Sequence, residues 1–388
     1  MAKRVKRAQR PRTPKADKKE IGILLGGGAP NLCLTAGALL ELHDYLEGQK
    51  KERKLYFAMA GAGAVVGLSY LAPTNGLTPT QALRNTKNFG VSDPIYDAFP
   101  VNYKVFTKSG PPAECFNDYW YSLPQVQDAM DQYGMSDEEA FCSDLLLFAG
   151  AMMCPTDLNF YSQGVCGHAP FLDSLVDFKK LGQLDPINDV EIEINAFCLE
   201  NRKVTDFSNK LCRITRDHLR AALSFPFLHA PYEVDGYHYY EGAAMQCLNE
   251  IPQSELNNID RFIVLDPLQP NMISFPRDLW DAYALSIIMP TTGLAVLGRE
   301  LLEQSMGSPK GRKRVLPSAD TAEPLSGVNA FSQFAQQKKL YLANFDIPED
   351  EVPESWGWSR SSMERLFEIG RKAGKKLRHQ LDCADPLA

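Results

Sequence analysis

The 388-residue chain has no Cys-x-x-Cys pair and no Cys/His cluster with zinc spacing. Its nine cysteines (Cys33, Cys115, Cys142, Cys154, Cys166, Cys198, Cys212, Cys247 and Cys383) are scattered and odd in number. That pattern argues against a disulfide framework and a zinc site, and reads as reduced thiols in a cytoplasmic protein. No metal or cofactor is expected. The longest apolar run, 145–154, is too short to span a bilayer. The charged start has no apolar stretch behind it and is not a signal peptide. The formal net charge is −7, yet residues 1–20 hold nine Lys/Arg against Asp17 and Glu20, a balance of +7, so the rest carries −14. An acidic body does not provide a nucleic-acid surface. The dinucleotide fingerprint G-x-G-x-x-G is absent, and no Walker Lys-Ser/Thr follows the glycines.

What is present suffices for a large core, since 44% of residues are hydrophobic. Residues 1–19 are basic, contain proline and lack large apolar groups, so they are expected to be a disordered tail. The tail is either a solubilising segment or an attraction for anionic lipid headgroups, worth up to roughly 1 kcal/mol per basic residue. In the second case the protein is cytoplasmic with peripheral membrane contact.

Ordered structure begins at Ile21. An apolar strand (21–25) runs into Gly26-Gly27-Gly28, and a helix with apolar spacing follows over 31–46. A second strand (55–60) meets Gly61-Ala62-Gly63 and a helix over 64–71, stopped by Pro73. This alternation predicts an α/β domain with a mostly parallel central sheet in three layers, spanning 20–275. An aromatic-rich insertion at about 75–165, including Phe99, Tyr103, Phe106, Phe116, Tyr119, Trp120 and Tyr121, reads as a helical cap. The stretch 276–388 reads as a helical C-terminal extension, with helices near 277–288, 293–305, 327–342 and 360–381 and a charged, Pro-rich loop at 307–325.

Backbone N–H groups of a glycine turn between strand and helix point at the space above the sheet. They suit a phosphate cradle or an oxyanion hole, or the turn is only a tight connection. Here the sequence resembles a family. LLGGGAPNLCLTAGALLEL looks like the oxyanion block of patatin-like phospholipases, and GAVVGLSYLA looks like the downstream half of their G-x-S-x-G nucleophile elbow. A third block, starting at Leu219, resembles their proline-aromatic segment and DG-x-x-Y-x-DGG motif through Ala221, Pro226, Phe227, Pro231, Asp235, Gly236 and Tyr239. The three blocks span roughly 20–270.

The resemblance implies a lipid acyl hydrolase with a Ser/Asp dyad and a glycine-rich oxyanion hole. It puts Gly61 at the nucleophile position and Met59 at the elbow's first glycine, or in a shifted register Gly63 at the nucleophile position; serine is absent in both. It puts Glu241, followed by Gly242 and Ala243, at the acid. Catalytic roles then fall to Glu241 and position 61, and oxyanion or substrate-binding roles to Gly26, Gly27, Gly28, Gly63 and Gly242. The ligand it implies is a lipid, acyl ester or acyl thioester. Three accounts fit the missing serine: an engineered replacement, a natural acyl-binding protein without activity, or an enzyme that activates water or an α-proton directly. Ser69, Ser224 and Cys33 are the substitute nucleophiles to weigh, each with a packing or capping alternative. His229 and His238 flank the acid block as possible bases. Asp235-Gly236 reads first as a hairpin turn.

Overall fold

The computed structural model describes residues 19–28, 31–74, 76–88, 122, 124, 175–226, 229–276, 279–307, 339–352, 355 and 360–384. Residues 1–18 of the expected tail, most of the expected cap and residues 308–325 of the expected loop lie outside the described residues.

The chain is mixed α/β with a central, mostly parallel sheet. Its strands are β1 (Glu20–Leu25), β2 (Lys54–Met59), β3 (Val190–Cys198), β4 (Lys203–Ser208), β5 (Tyr232–Val234), β6 (Tyr237–Glu241), β7 (Ile259–Leu265) and β8 (Lys339–Leu342). Hydrogen bonding links them along the path β5-β6-β3-β2-β1-β7-β8, and β4 also pairs with β3. The run from β3 to β8 is parallel throughout. β4 and β6 run antiparallel to β3, and β5 to β6. β1 and β2 are buried along their whole length, which is why they read as near-continuous apolar runs.

The helices are α1 (Leu32–Gln49), α2 (Ala62–Leu71), α3 (Pro79–Asn85), α4 (Phe178–Leu181), α5 (Arg216–Leu223), α6 (Gln253–Asn258), α7 (Leu279–Gly307) and α8 (Arg360–Ala384). Alternate strand residues face opposite layers. Ile21, Ile23, Phe57, Ile192 and Ile194 join the main core with α1, α2, α5 and α8. Leu24, Tyr56, Ala58, Phe262 and Val264 pack on the other face with Leu248, Ile251, Leu256 of α6 and Leu302 of α7.

Three local expectations change. Residues 339–342, expected within a helix, form β8 beside β7 with Arg261 opposite Lys339; four residues carry too little periodicity to choose. The two helices expected between 277 and 305 are one, α7, running through Pro290. Proline removes one N–H, while the Thr291 hydroxyl donates to Ile287 O at 2.8 Å in the same turn. Residues beyond 276 also supply both β8 to the sheet and α8 to the α1 layer.

The α1–α8 contact is a backbone contact. A Cβ on Gly37 would lie 2.1 Å from Phe367 O, one on Gly370 2.1 Å from Leu34 O, and one on Gly374 2.6 Å from Ala38 O. Arg371 Nε closes the pair on Glu41 at 2.6 Å.

At the N-terminal end of the strands, Lys54 Nζ lies 3.1 Å from Glu20 and 2.5 Å from Glu191. Lys210 bridges Glu191 at 2.7 Å and Glu255 at 2.9 Å. These three carboxylates have oxygens within 4.8 Å of one another. The two ammonium groups stand among them and supply the positive charge that makes their burial tolerable.

Glycine substitutions separate contact from propensity. Gly370→Ala is expected to lower stability by about 1–3 kcal/mol through overpacking. Gly48→Ala, on the exposed side of α1 with nothing near its added Cβ, should raise it by up to roughly 1 kcal/mol. Urea midpoints of the two variants check both signs.

Candidate functional site

Three chain segments meet at the C-terminal edge of the parallel strands. The first is the glycine turn after β1. Its backbone is pressed between neighbours: a Cβ on Gly26 would lie 2.7 Å from Asp266 Oδ1, and one on Gly27 2.5 Å from Ala243 Cβ. Gly26 N–H donates to Leu265 O at 3.0 Å and Gly27 N–H to Cys247 O at 3.2 Å. Both are therefore engaged. Gly28, at φ +126°, has an N–H that meets no acceptor among the described residues.

The second segment is the turn from β2 into α2. Leu25 of β1 stands opposite Met59, and Ala60 N–H extends the pairing to Leu25 O at 3.0 Å. The glycine turn and Gly61 are therefore side by side. Gly61 takes φ 45° and ψ −125° and caps the N-terminus of α2. This is a sharp strand-to-helix turn that a side chain enters only under strain. Gly63 serves packing: a Cβ there would lie 2.5 Å from Leu25 O, and its N–H donates to Ala60 O at 2.9 Å. The N–H of Ala62, first residue of α2, meets no acceptor among the described residues.

The third segment is the end of β6. β2 and β6 lie on the same edge of β3, because β4 takes the other edge opposite both. β2 ends with Met59 opposite Ile194, and β6, coming the other way, ends with Glu241 opposite Ala196. Only Asn195 separates them. Glu241 N–H is tied to Ser224 O at 2.8 Å. Its side chain reaches over Gly61, where Oε1 lies 2.0 Å from the place of a Cβ on residue 61, and Ala243 Cβ lies 3.0 Å from the same point. A carboxyl thus stands where any side chain on residue 61 would begin. Gly242 passes Asn195 closely, its added Cβ falling 2.5 Å from Oδ1.

Part of Glu241 is accessible to solvent, yet its carboxyl is deep enough that burial raises its pKa to about 8. The carboxyl makes no hydrogen bond to a described residue. Asp266, just beyond β7, is likewise raised by burial, to about 7, although Arg299 of α7 lies 3.5 Å from Oδ2 and Leu268 N–H donates to Oδ1 at 3.0 Å. Cys247 joins this corner to α7, its Sγ lying 3.2 Å from Ala243 O and from Thr291 O.

The other candidates are elsewhere or engaged. Ser69 donates to Val66 O at 3.0 Å and Ser224 to Arg220 O at 2.7 Å, both as local helix hydroxyls. Cys33 is buried beside Thr86 and Met363, and burial pushes its thiol up to about 12, away from reactivity. His238 is exposed and paired with Glu200 at 2.7 Å. His229 N–H donates to Phe225 O. Asp235 and Gly236, at φ 51° and 79°, make the β5–β6 hairpin turn. Reasoning from sequence missed Asn195, Asp266 and the Ala62 N–H. Asp266 could have been found as an acid directly after a core parallel strand, where α/β sheets place their ligands.

No family model matches the chain, and no curated protein does. Among solved structures it is similar to VipD from Legionella pneumophila, with 14% identity and a TM-score of 0.33, over 92% of this chain and 67% of that one. A likeness that low carries no argument about activity.

Two outcomes follow from the geometry. Glu241 and Asp266 are joined by Glu193 and Asp206, raised by burial to about 7 and about 6. Folded chains hold these protons after unfolded chains have lost theirs, so stability falls as pH rises toward about 8. The melting temperature should be lower at about pH 8.5 than at about pH 6.5, and Glu241→Gln should flatten the slope, which reaches about 1.4 kcal/mol per pH unit for each group. Gly61→Ser should destabilise by about 2 kcal/mol through collision with Glu241. Adding Glu241→Asp, one methylene shorter, should recover part of that loss and give stronger fluorophosphonate labelling than Gly61→Ser alone.

Proposed function

We propose that this chain acts on acyl esters or thioesters at the Gly61–Glu241 turn without forming an acyl-enzyme. The observation that carries the reading is the sharp turn at Gly61, with φ 45° and ψ −125°, capped by the Glu241 carboxyl. The resemblance of the three sequence blocks to patatin-like phospholipases supplies the acyl substrate class.

The chemistry is one addition and one elimination. Ionised Glu241 accepts a proton from water while the hydroxide oxygen bonds to the acyl carbon. The resulting oxyanion accepts hydrogen bonds from the N–H groups of Gly28 and Ala62, next to the N-terminus of α2. Collapse of the tetrahedral species breaks the bond to the alkoxide or thiolate, which takes the proton from Glu241. A pKa near working pH suits a group that accepts and returns a proton in one cycle.

A second reading is acyl binding without turnover, and one observation favours it: Glu241 and Ala243 together fill the space beside Gly61. Under either reading the basic 1–19 segment is proposed to meet anionic lipid, and the protein to be cytoplasmic.

p-Nitrophenyl esters and acyl thioesters test the choice. Hydrolysis is expected to rise with pH and level off above about 8. Glu241→Ala is expected to reduce it by about 10²–10⁴-fold. No turnover of either substrate, or turnover indifferent to Glu241, sinks the hydrolytic reading. Co-purifying acyl species seen by native mass spectrometry would then support the binding one.

A further inference from the structure

We propose that the ligand held most tightly at this turn is a free carboxylate, bound as a carboxylic acid–carboxylate pair with Glu241, in preference to the corresponding ester. That the carboxylate is borne by an acyl chain rests on the reading above; its charge preference does not.

Hydrogen-bond donors set the preference. Gly28 N–H and Ala62 N–H have no acceptor among the described residues, whereas Gly26 and Gly27 are engaged with Leu265 O and Cys247 O. Ala62 opens a ten-residue helix, whose N-terminus carries partial positive charge. The Glu241 carboxyl has no partner among the described residues, and in its neutral form it adds an O–H. It stands 2.0 Å from the Cβ place on residue 61, so at the nucleophile's station the protein offers a proton instead of a lone pair.

The surrounding charges do not supply a competing acceptor. The Asp266 carboxylate turns to Leu268 N–H and Arg299, and Cys247 Sγ turns to Ala243 O and Thr291 O. An ester carbonyl presents one strong acceptor oxygen to three donors. A carboxylate presents two, with about four lone-pair directions, so one oxygen can take the N–H groups and the other the acid proton. Each of those bonds is then charge-assisted. A carboxylate beside Glu241 also disfavours ionisation of Glu241, which keeps it in the donating form. The arrangement therefore reinforces itself for an acid and not for an ester.

The full-length protein is titrated calorimetrically with sodium octanoate, methyl octanoate and octanol near neutral pH. Octanoate is expected to bind at least about tenfold more tightly than the other two, the scale for losing one charge-assisted hydrogen bond. Glu241→Gln, which keeps an N–H donor of the same length, is expected to hold octanoate within a few-fold of wild type. Glu241→Ala is expected to weaken it by about tenfold or more. Methyl octanoate binding as well as octanoate, or octanoate binding unaffected by Glu241→Ala, overturns the proposal. The wild-type acid–ester comparison decides even if a variant fails to fold. Esters that turn over without any preference for the acid would sink this inference and leave the hydrolytic reading standing. Selective octanoate binding without turnover would do the reverse.

Discussion

One edge of β3 carries two strands, and the site is a consequence. β2 rises along its first half, β6 descends along its second, and Asn195 alone separates their ends. Chains that stop nose to nose leave no room between them except what small residues give up. Gly61, Gly242 and Ala243 fill that junction, with Asn195 Nδ2 holding Gln246 O at 2.9 Å behind it. In so tight a corner one methylene decides the outcome. An aspartate at the end of β6 would stop short of residue 61, whereas Glu241 reaches it. The glycine at 61 and the glutamate at 241 are therefore one steric fact.

The sheet treats its buried acids in two ways. At the strand N-termini, Glu20, Glu191 and Glu255 have Lys54 and Lys210 among them. Toward the other end, Glu193 accepts from Tyr56, and Asp206 from Asn249, with no cation beside either among the described residues. At the site itself Glu241 has neither cation nor donor among the described residues. Desolvation without compensation raises a carboxyl's pKa and prepares it to exchange a proton near neutral pH. The lysine-held acids tie strand ends together, and the uncompensated one at the turn is the one for which a chemical role is proposed.

The strand–glycine–helix repeat of the first 75 residues was legible because central parallel strands are apolar on both faces and glycine marks the close turns. The placement of Glu241 and Gly61 was legible only through family resemblance, since nothing in their spacing brings residues 180 positions apart together. β3 shows why the rest was hidden. Glu191, Glu193 and Asn195 alternate with apolar residues, the ordinary pattern of a half-exposed strand, yet Glu191 and Asn195 are 0% exposed and Glu193 is 7% exposed. Partners from β2, β4 and the segment around α6 cover them, and such partners cannot be read locally. The engagement of Gly26 and Gly27 N–H by Leu265 and Cys247 was equally invisible, because both carbonyls come from segments more than 200 residues away.

The glycine-lined crossing of α1 and α8 also governs the order in which the protein can be completed. Cys33 meets Met363 across 330 residues of sequence. On the ribosome, α1 emerges with an apolar, glycine-notched face more than 300 residues before the segment that covers it. β1 waits in the same way for β7. At roughly 5–20 residues per second the first layer stays uncovered for tens of seconds. Such a chain depends on being shielded from its neighbours during synthesis, and a message truncated before α8 would release a product with the α8-facing side of its first helix uncovered.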